Sequence, residues 1–351
     1  MIRLEAISCA APLNEVSMEE TTSFVAAHAP PAARSRLIQS LQKSRNRTRH
    51  SVLPLAALVR LGGATERAEL YHEHARSLAE RALSQLADLG KLRPKEISTI
   101  VFVSSTGYAA PSIETEVMRR FAINPHCRRI PLMQLGCAGG VAALSLAAEI
   151  VRGTPGDVLV ISAELPSLQL QLAEPSLLEL VAATQFGDGA AAAVVSVDHD
   201  GPEIIATESN LLAEVEEGGR VIPCETGLRL SGSARLPSLI RRQARDLVRR
   251  FTEKHAIDEL SFVAAHPRGP EVLDAVADGL SLKPSSLAAS WSAWESNGNM
   301  ISASIFFALS EVARTHAPQQ SDVGALLAFG TGVSCEMALL RWCQAPEVAR
   351  S

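Results

Sequence analysis

"PLMQLGCAGGVAALSLAAEIV", from Pro131 to Val151, carries no charge until Glu149. After Cys137 the run is rich in Ala, Leu and Gly, which predicts a helix enclosed by protein on nearly every side. Pro131–Leu135, just ahead, is short enough for a strand ending at Gly136. A thiol on such a strand-to-helix turn stands at the positive end of a helix dipole, which favours thiolate over thiol. The same position equally suits a small buried hydrophobe. What Cys137 means therefore depends on the rest of the chain.

Working outward, strand-like and helix-like segments alternate, as in an α/β protein with buried strands. "TIVFVSSTG" (Thr99–Gly107) and "LSFVAAHPRG" (Leu260–Gly269) both read as buried strands running into turns. Phe102-Val103 is echoed by Phe262-Val263, and the helix opening at Cys137 by one opening near Asn299 in "SNGNMISASIFFALSEVA". "QFGDGAAAAVVSV" from Gln185 is echoed by "AFGTGVSCEMALL" from Ala328. Three echoes in one order predict an internal duplication. The polar Gly-Pro turn "VDHDGPE" (Val197–Glu203) is the seam, dividing the chain into halves 1–200 and 201–351. A pseudo-twofold between them would bring the turns at Thr106, Cys137, His266 and Asn299 face to face.

Composition narrows the function. The chain has 351 residues, 47% of them hydrophobic and 20% charged, enough for a large core and against disorder. A net charge of −5 with 4% aromatics argues against nucleic-acid binding. The six cysteines (Cys9, Cys127, Cys137, Cys224, Cys335, Cys343) form no CxxC pair, so neither disulfides nor zinc are expected. His72 and His74 lie two apart on an expected helix and diverge, so no metal site is expected there either; a solvated histidine face is. No signal peptide or membrane-spanning run is read from the sequence, and a cytoplasmic protein is the expectation.

The turn residues carry chemistry. Cys137 can take an acyl group as a thioester if something keeps it ionised. His266 ends an apolar strand at the sheet edge where open α/β folds place their sites, and as imidazolium it would pair with the thiolate. Asn299 suits a helix cap; beside His266 it is also a neutral donor for a thioester carbonyl, able to stabilise an enolate without protonating it. Gly330 and Gly332 can bring backbone close to Cys137. No Walker or Rossmann glycine loop is present, so neither a nucleotide hydrolase nor a dehydrogenase is supported.

These motifs together ("QLGCAGG", "AHPRGPEVLD", "GNMISAS", "FGDGAAA" and "AFGTG") resemble the type III polyketide synthases, the chalcone-synthase-like branch of the thiolase superfamily. The resemblance spans essentially the whole chain. It implies a thiolase fold, an α/β protein whose duplicated halves form a five-layered αβαβα sandwich, and a homodimer. It implies that Cys137 is loaded from an acyl-CoA, and that His266 and Asn299 promote decarboxylation of malonyl-CoA to an enolate that attacks the acyl thioester. The product would be a short polyketide such as an alkylpyrone or alkylresorcinol. Coenzyme A thioesters, with an acyl carrier protein as an alternative donor, would be the substrates, and no cofactor is implied. Phe186 matches the gatekeeper aromatic between tunnel and cavity. Lys43, then Arg36, in the basic run Arg34–His50, match positions that hold coenzyme A phosphates, although a solvated helix face also explains that run. Ser105, Thr106, Gln169, Leu230, Ile301, Gly330 and Gly332 would line the substrate space.

The chain departs from the family pattern in three places. "AFGTG" replaces Gly-Phe-Gly-Pro-Gly, with Ala328 and Thr331 at the first glycine and the proline, so ring closure is expected to differ. Ala110 stands where many members carry a methionine reaching across the dimer. Ile301 holds a position often given to a small residue and is expected to narrow one wall. The competing readings are a ketoacyl synthase III-like enzyme making one condensation or joining two chains, a silent thiolase-fold scaffold, and a cysteine hydrolase. Retention of Cys137, His266 and Asn299 argues against the scaffold. The lack of an orienting carboxylate or amide beside the histidine argues against the hydrolase.

Overall fold

The computed structural model describes residues 1–349 except 174, 198, 213–219, 232–234 and 317. Its strands are β1 (Ile2–Ala10), β2 (Glu15–Ser17), β3 (Thr48–His50), β4 (Ile97–Val103), β5 (Arg128–Leu132), β6 (Asp157–Glu164), β7 (Gly189–Val197), β8 (Glu203–Leu211), β9 (Arg220–Cys224), β10 (Gly227–Ser231), β11 (Phe262–Ala265), β12 (Val323–Phe329), β13 (Ser334–Arg341) and β14 (Glu347–Val348). Most join in one sheet, ordered β11-β12-β13-β8-β1-β7-β6-β4-β5, with β14 added alongside β1.

The expected duplication is visible in this order. In the first half, β4 pairs parallel with β6, which pairs antiparallel with β7, which pairs antiparallel with β1. In the second, β11, β12, β13 and β8 repeat those pairings and directions. No strand between β11 and β12 repeats β5 among the described residues. The half-sheets meet where β1 and β8 pair at Arg3 and Glu203.

The five layers follow from strand periodicity, since successive side chains point to opposite faces. On β6, Val158 and Val160 join one apolar cluster while Leu159, Ile161 and Ala163 join another. On β12, Leu326 and Ala328 enter that same first cluster, whereas Ala325, Leu327 and Phe329 enter a third. The shared cluster is therefore the middle layer, and it contains the helices Gly139–Gly153 and Ser304–Glu311. The helix Ala64–Asp88 covers the first half-sheet from outside; Leu236–Lys254 and Pro270–Leu280 cover the second.

The central helix is enclosed because its surface is nearly all small. An added Cβ at Gly140 would lie 2.3 Å from the Ser302 carbonyl oxygen, so only glycine lets the two central elements approach this closely. Contrary to the sequence reading, one run, Gly136–Gly153, is long and apolar enough to cross a membrane, but 61% of it is buried inside the protein. Both half-sheets pack on this helix, and an interior element of a soluble fold has the same composition. The structure also shifts two boundaries: the strand before Cys137 is Arg128–Leu132, and one 3-10 turn, Gly136–Ala138, precedes the helix proper.

Candidate active site

Cys137, His266 and Asn299 converge at the joint between the halves, each buried. Cys137 lies on the turn leading into the central helix, and its Sγ is 4.0 Å from Asn299 Oδ1. His266 follows β11, its backbone N–H bonded to the Leu327 carbonyl at 2.8 Å. Its Nε2 lies 2.8 Å from the Ile301 carbonyl oxygen. A carbonyl only accepts, so Nε2 is the donor in this bond.

Asn299 is held in an isolated bridge to Phe186: its N–H donates to the Gln185 carbonyl at 2.8 Å, and its carbonyl accepts from Gly187 N–H at 3.1 Å. Oδ1 accepts from Ile301 N–H at 2.9 Å, which fixes the amide's orientation. The cap reading is thus partly right, because Oδ1 closes a local turn. The amide's NH₂ group is not spent on that turn. Ile301 has φ +48°, unusual for a β-branched residue, and through its backbone serves both Asn299 and His266.

The electrostatics single out one thiol. Burial pushes the Cys137 thiol up, but the charge and hydrogen bond of His266, the charge of Arg268 and the Asn299 hydrogen bond outweigh it and bring it down to about 7. Burial drives Cys9 and Cys335 up to about 12 and Cys127 to about 11. All six cysteines are free.

Glu164, which the sequence reading passed over, ends β6 fully buried beside this trio. Its carboxylate accepts from Ser105 N–H at 3.0 Å, Thr106 Oγ1 at 2.7 Å and, closest, Ser302 Oγ. Burial raises it to about 7 despite these bonds. Ser105 Oγ in turn accepts from Gly136 N–H at 3.0 Å, and Ser302 follows Ile301. Glu164 thereby ties the Cys137 turn of one half to the Asn299 turn of the other. The signal in the sequence was an acid closing β6 after a largely apolar run, at the end opposite Asp157.

A cavity of about 880 Å³ opens beside the cysteine turn, lined by Ser105, Gly136, Gln169, Gly332, the hairpin β9–β10 and Arg67. Thr106 buttresses it, its carbonyl accepting from Gln169 Nε2 at 2.6 Å. Gly330 presses on the cysteine turn: an added Cβ would lie 2.6 Å from both Ala138 Cβ and the Leu135 oxygen. Ile301 and Phe186 are not among the residues lining this cavity. Cys137, His266 and Asn299 are not among them either, and Ile301 meets that trio through its backbone. Phe186 sits half-buried beside Asn299, packed against the first half's outer core. Leu230 lies on β10, its side chain outside the described ones.

Arg36 and Lys43 project from the exposed face of the helix Pro31–Lys43. The basic run has a structural share, because Arg45 and Arg47 pair with Glu295 and buried Arg49 bonds to Thr21 and Thr184. His72 and His74 are half-buried rather than solvated, and His72 Nε2 meets Glu116 at 2.7 Å. No metal-holding cluster occurs among the described residues. Ala110 lines a second hollow, of about 610 Å³, with His72 and Tyr108.

Family models for chalcone and stilbene synthases match the chain twice, the N-terminal domain over residues 47–199 and the C-terminal domain over 206–344. The 1,3,6,8-tetrahydroxynaphthalene synthase of Streptomyces peucetius subsp. caesius is 34% identical, covering 96% of this chain and 92% of its own. An alpha-pyrone synthesis polyketide synthase-like protein of Mycobacterium tuberculosis is 29% identical over 95% of this chain and 89% of its own. The crystal structure of the Streptomyces coelicolor A3(2) 1,3,6,8-tetrahydroxynaphthalene synthase superposes with a TM-score of 0.93 at 27% identity, covering 98% of this chain and 100% of that one.

Proposed function

Because this chain belongs to the chalcone and stilbene synthase family and is a type III polyketide synthase, we propose that Cys137 is its acyl-carrying nucleophile and that His266 and Asn299 are its decarboxylation donors. The observation that carries this is the thiol brought to about 7 where Cys137, His266 and Asn299 meet, while Cys335, also buried, is driven to about 12.

The Cys137 thiolate attacks the carbonyl carbon of an acyl-CoA, and the coenzyme A thiolate leaves. Malonyl-CoA then enters with its thioester oxygen toward Asn299 Nδ2 and the Nδ1–H of the His266 imidazolium, whose Nε2–H stays on the Ile301 carbonyl. Its carboxylate departs as carbon dioxide, and the electron pair moves into an enolate that these donors stabilise. The enolate carbon attacks the Cys137 thioester, expelling the thiolate and leaving a chain longer by two carbons on coenzyme A. Reloading repeats the cycle. The backbone carbonyl of Ile301 holds His266, and Ile301 N–H holds Asn299, so both donors are aimed before substrate arrives.

A cavity of about 880 Å³ favours repeated extension over a single condensation, which needs little room. Relatives named for tetrahydroxynaphthalene and for an alpha-pyrone suggest a short chain that closes on itself, and an alkylpyrone or alkylresorcinol fits that pattern. Our reading further takes Arg36 and Lys43 as contacts for coenzyme A phosphates, Phe186 as the gate, residue 200 as the boundary of the halves, and a homodimer without a cofactor as the working unit. The test is purified protein with malonyl-CoA and a panel of acyl-CoA starters, read by mass spectrometry. Chains grown in two-carbon steps on more than one starter are expected; acyl-Cys137 that never extends would overturn the reading.

A further inference from the structure

Among the described lining residues of the large cavity, Arg67 is the one charged side chain. It comes from the first turn of the helix Ala64–Asp88 and is only 3% exposed. Its Nε donates to the Gly62 carbonyl at 3.0 Å, and its Nη1 to the carbonyls of Leu170 at 3.0 Å and Leu168, closer still. Among the described residues, Nη2 has no hydrogen-bond partner and no carboxylate lies within salt-bridge distance of the guanidinium. Burial lowers its proton affinity, with Cys224 and Glu66 acting the other way. A guanidinium stays charged throughout.

The neighbouring polar groups are already engaged. Gln169 donates to the Thr106 carbonyl and accepts from Leu228 N–H at 3.1 Å, and Ser105 Oγ accepts from Gly136. The rest of the wall is largely apolar, with Val221, Ile222, Pro223 and Leu228 from the hairpin. A buried cation without a bonded carboxylate among the described residues, in such a wall, attracts an oxyanion more strongly than it would in water. The backbone bonds on Nε and Nη1 fix the guanidinium plane, leaving Nη2 as the free donor.

We propose that Arg67 is an anion subsite of the substrate cavity, taking a carboxylate or enolate oxygen at the end of the acyl chain remote from Cys137. This rests on the condensing function above. It makes the enzyme selective for acyl groups whose far end is an oxyanion, supplied by a dicarboxylic starter or by the enolised poly-β-ketone itself. The subsite lies apart from the groups that handle the thioester, so its effect falls on which chain is accepted.

Two arms separate the sources. In the first, intact-mass spectrometry follows acyl transfer to Cys137 without malonyl-CoA, comparing succinyl-CoA with butyryl-CoA and glutaryl-CoA with pentanoyl-CoA. In the second, malonyl-CoA is added to the butyryl-loaded enzyme and product length is read. For a dicarboxylic starter, Arg67→Met lowers the carboxylated-to-neutral loading ratio about tenfold to a hundredfold, the worth of a charged hydrogen bond, and Arg67→Lys restores part of it. For the poly-β-ketone, the ratio stays and Arg67→Met shortens the chains. An equal loss for charged and neutral starters, with chain length unmoved, overturns the subsite and leaves Arg67 a brace for Leu168–Leu170. Should Arg67→Met not fold, Arg67→Lys, which keeps the charge and loses the fork, is judged by the same two measures. Loading needs no condensation, so a shifted ratio without any chain growth would refute the polyketide reading while sparing the subsite.

Discussion

Replacing His266 by Gln tests the electrostatic core of the site without substrate. Glutamine keeps a donor for the Ile301 carbonyl and most of the volume, but removes the titratable ring. Cys9 and Cys335, driven up chiefly by burial, stand at about 12, whereas Cys137 stands at about 7. Cys137 therefore lies about two units below the ordinary thiol value of 9.0, on the order of 3 kcal/mol of thiolate stabilisation at about 1.36 kcal/mol per unit. His266 supplies the two largest lowering contributions, ahead of Arg268 and Asn299. Removing them leaves burial the largest remaining influence, so the variant's midpoint rises from about 7 toward 9. At pH 7 about half the wild-type thiol is ionised, and as the midpoint approaches 9 the variant's fraction falls toward about one part in a hundred. The rate falls less than that, since a more basic thiolate is the better nucleophile, so the midpoint is the quantity to measure. The assay is iodoacetamide labelling of Cys137 from pH 5 to 11, quantified by peptide mass with circular dichroism to confirm folding. A midpoint that stays near 7 in the variant would refute the ion-pair argument. The sign carries over to stability: a thiol depressed from 9 to about 7 stabilises the fold fully above pH 9 and loses that contribution as pH falls through 7. The melting-temperature advantage of wild type over His266→Gln should therefore shrink from pH 9 to pH 7.

Asn299→Ala is expected to cut carbon dioxide release from malonyl-CoA about a hundredfold to a thousandfold, the usual cost of one oxyanion donor, with acyl loading nearly intact; loss of loading with decarboxylation retained would reverse the assignment. Gly330→Ala forces a Cβ to within 2.6 Å of the Ala138 Cβ and the Leu135 oxygen, so the cysteine turn must move. A cost of about 1–3 kcal/mol in denaturant unfolding and a larger proportional loss of loading are expected, and unchanged kinetics would show that the turn tolerates the shift. Glu164→Gln removes one of two oxygens that both accept, so either Thr106 or Ser302 loses its acceptor while Ser105 N–H, shared between both oxygens, keeps the remaining one. About 1–3 kcal/mol of stability should go with it, and an unaltered melting temperature would mean the network relaxes freely.

Residues whose role depends on position along the chain were legible in the sequence. The period-2 strands, the small-residue helix after Cys137 and the duplicated order each leave a one-dimensional trace, and the sheet repeats that order. Asn299 read as a cap because caps and carbonyl donors use the same amide; the structure gives Oδ1 the first task and leaves Nδ2 for the second. Ile301 has a role that its side chain did not announce. Its φ of +48° and its two backbone bonds serve His266 and Asn299, and backbone roles leave no mark in residue identity. Arg67 and Glu164 were missed because their partners lie far away in the chain. Arg67 reads as one more cation on an amphipathic helix until Leu168 and Leu170 are seen to close over it.

Glu164 also explains how two halves that join at one edge pair can fix the relative position of their site turns. The β4 turn reaches the carboxylate through Ser105 and Thr106, the cysteine turn through Ser105, and the asparagine turn through Ser302. Apolar packing in the middle layer brings the halves together but does not set their register, because dispersion and burial are non-directional. Hydrogen bonds around one buried acceptor do set it. Burial raises Glu164 while the thiolate of Cys137 pushes in the same direction, so a negative sulfur and a negative carboxylate oppose each other across the joint. A carboxyl raised above its unfolded value stabilises the fold below about 4.5 and loses that contribution as pH rises through 7, the reverse of Cys137. As the pH rises through 7 the site gains its nucleophile while its brace takes on charge, and acylation of Cys137, which removes the sulfur's charge, relieves the opposition. Loading should therefore raise the melting temperature above pH 7 more than below it, which differential scanning of the acyl-enzyme against free enzyme at pH 6 and pH 8 would show; an equal rise at both would mean the two charges do not communicate.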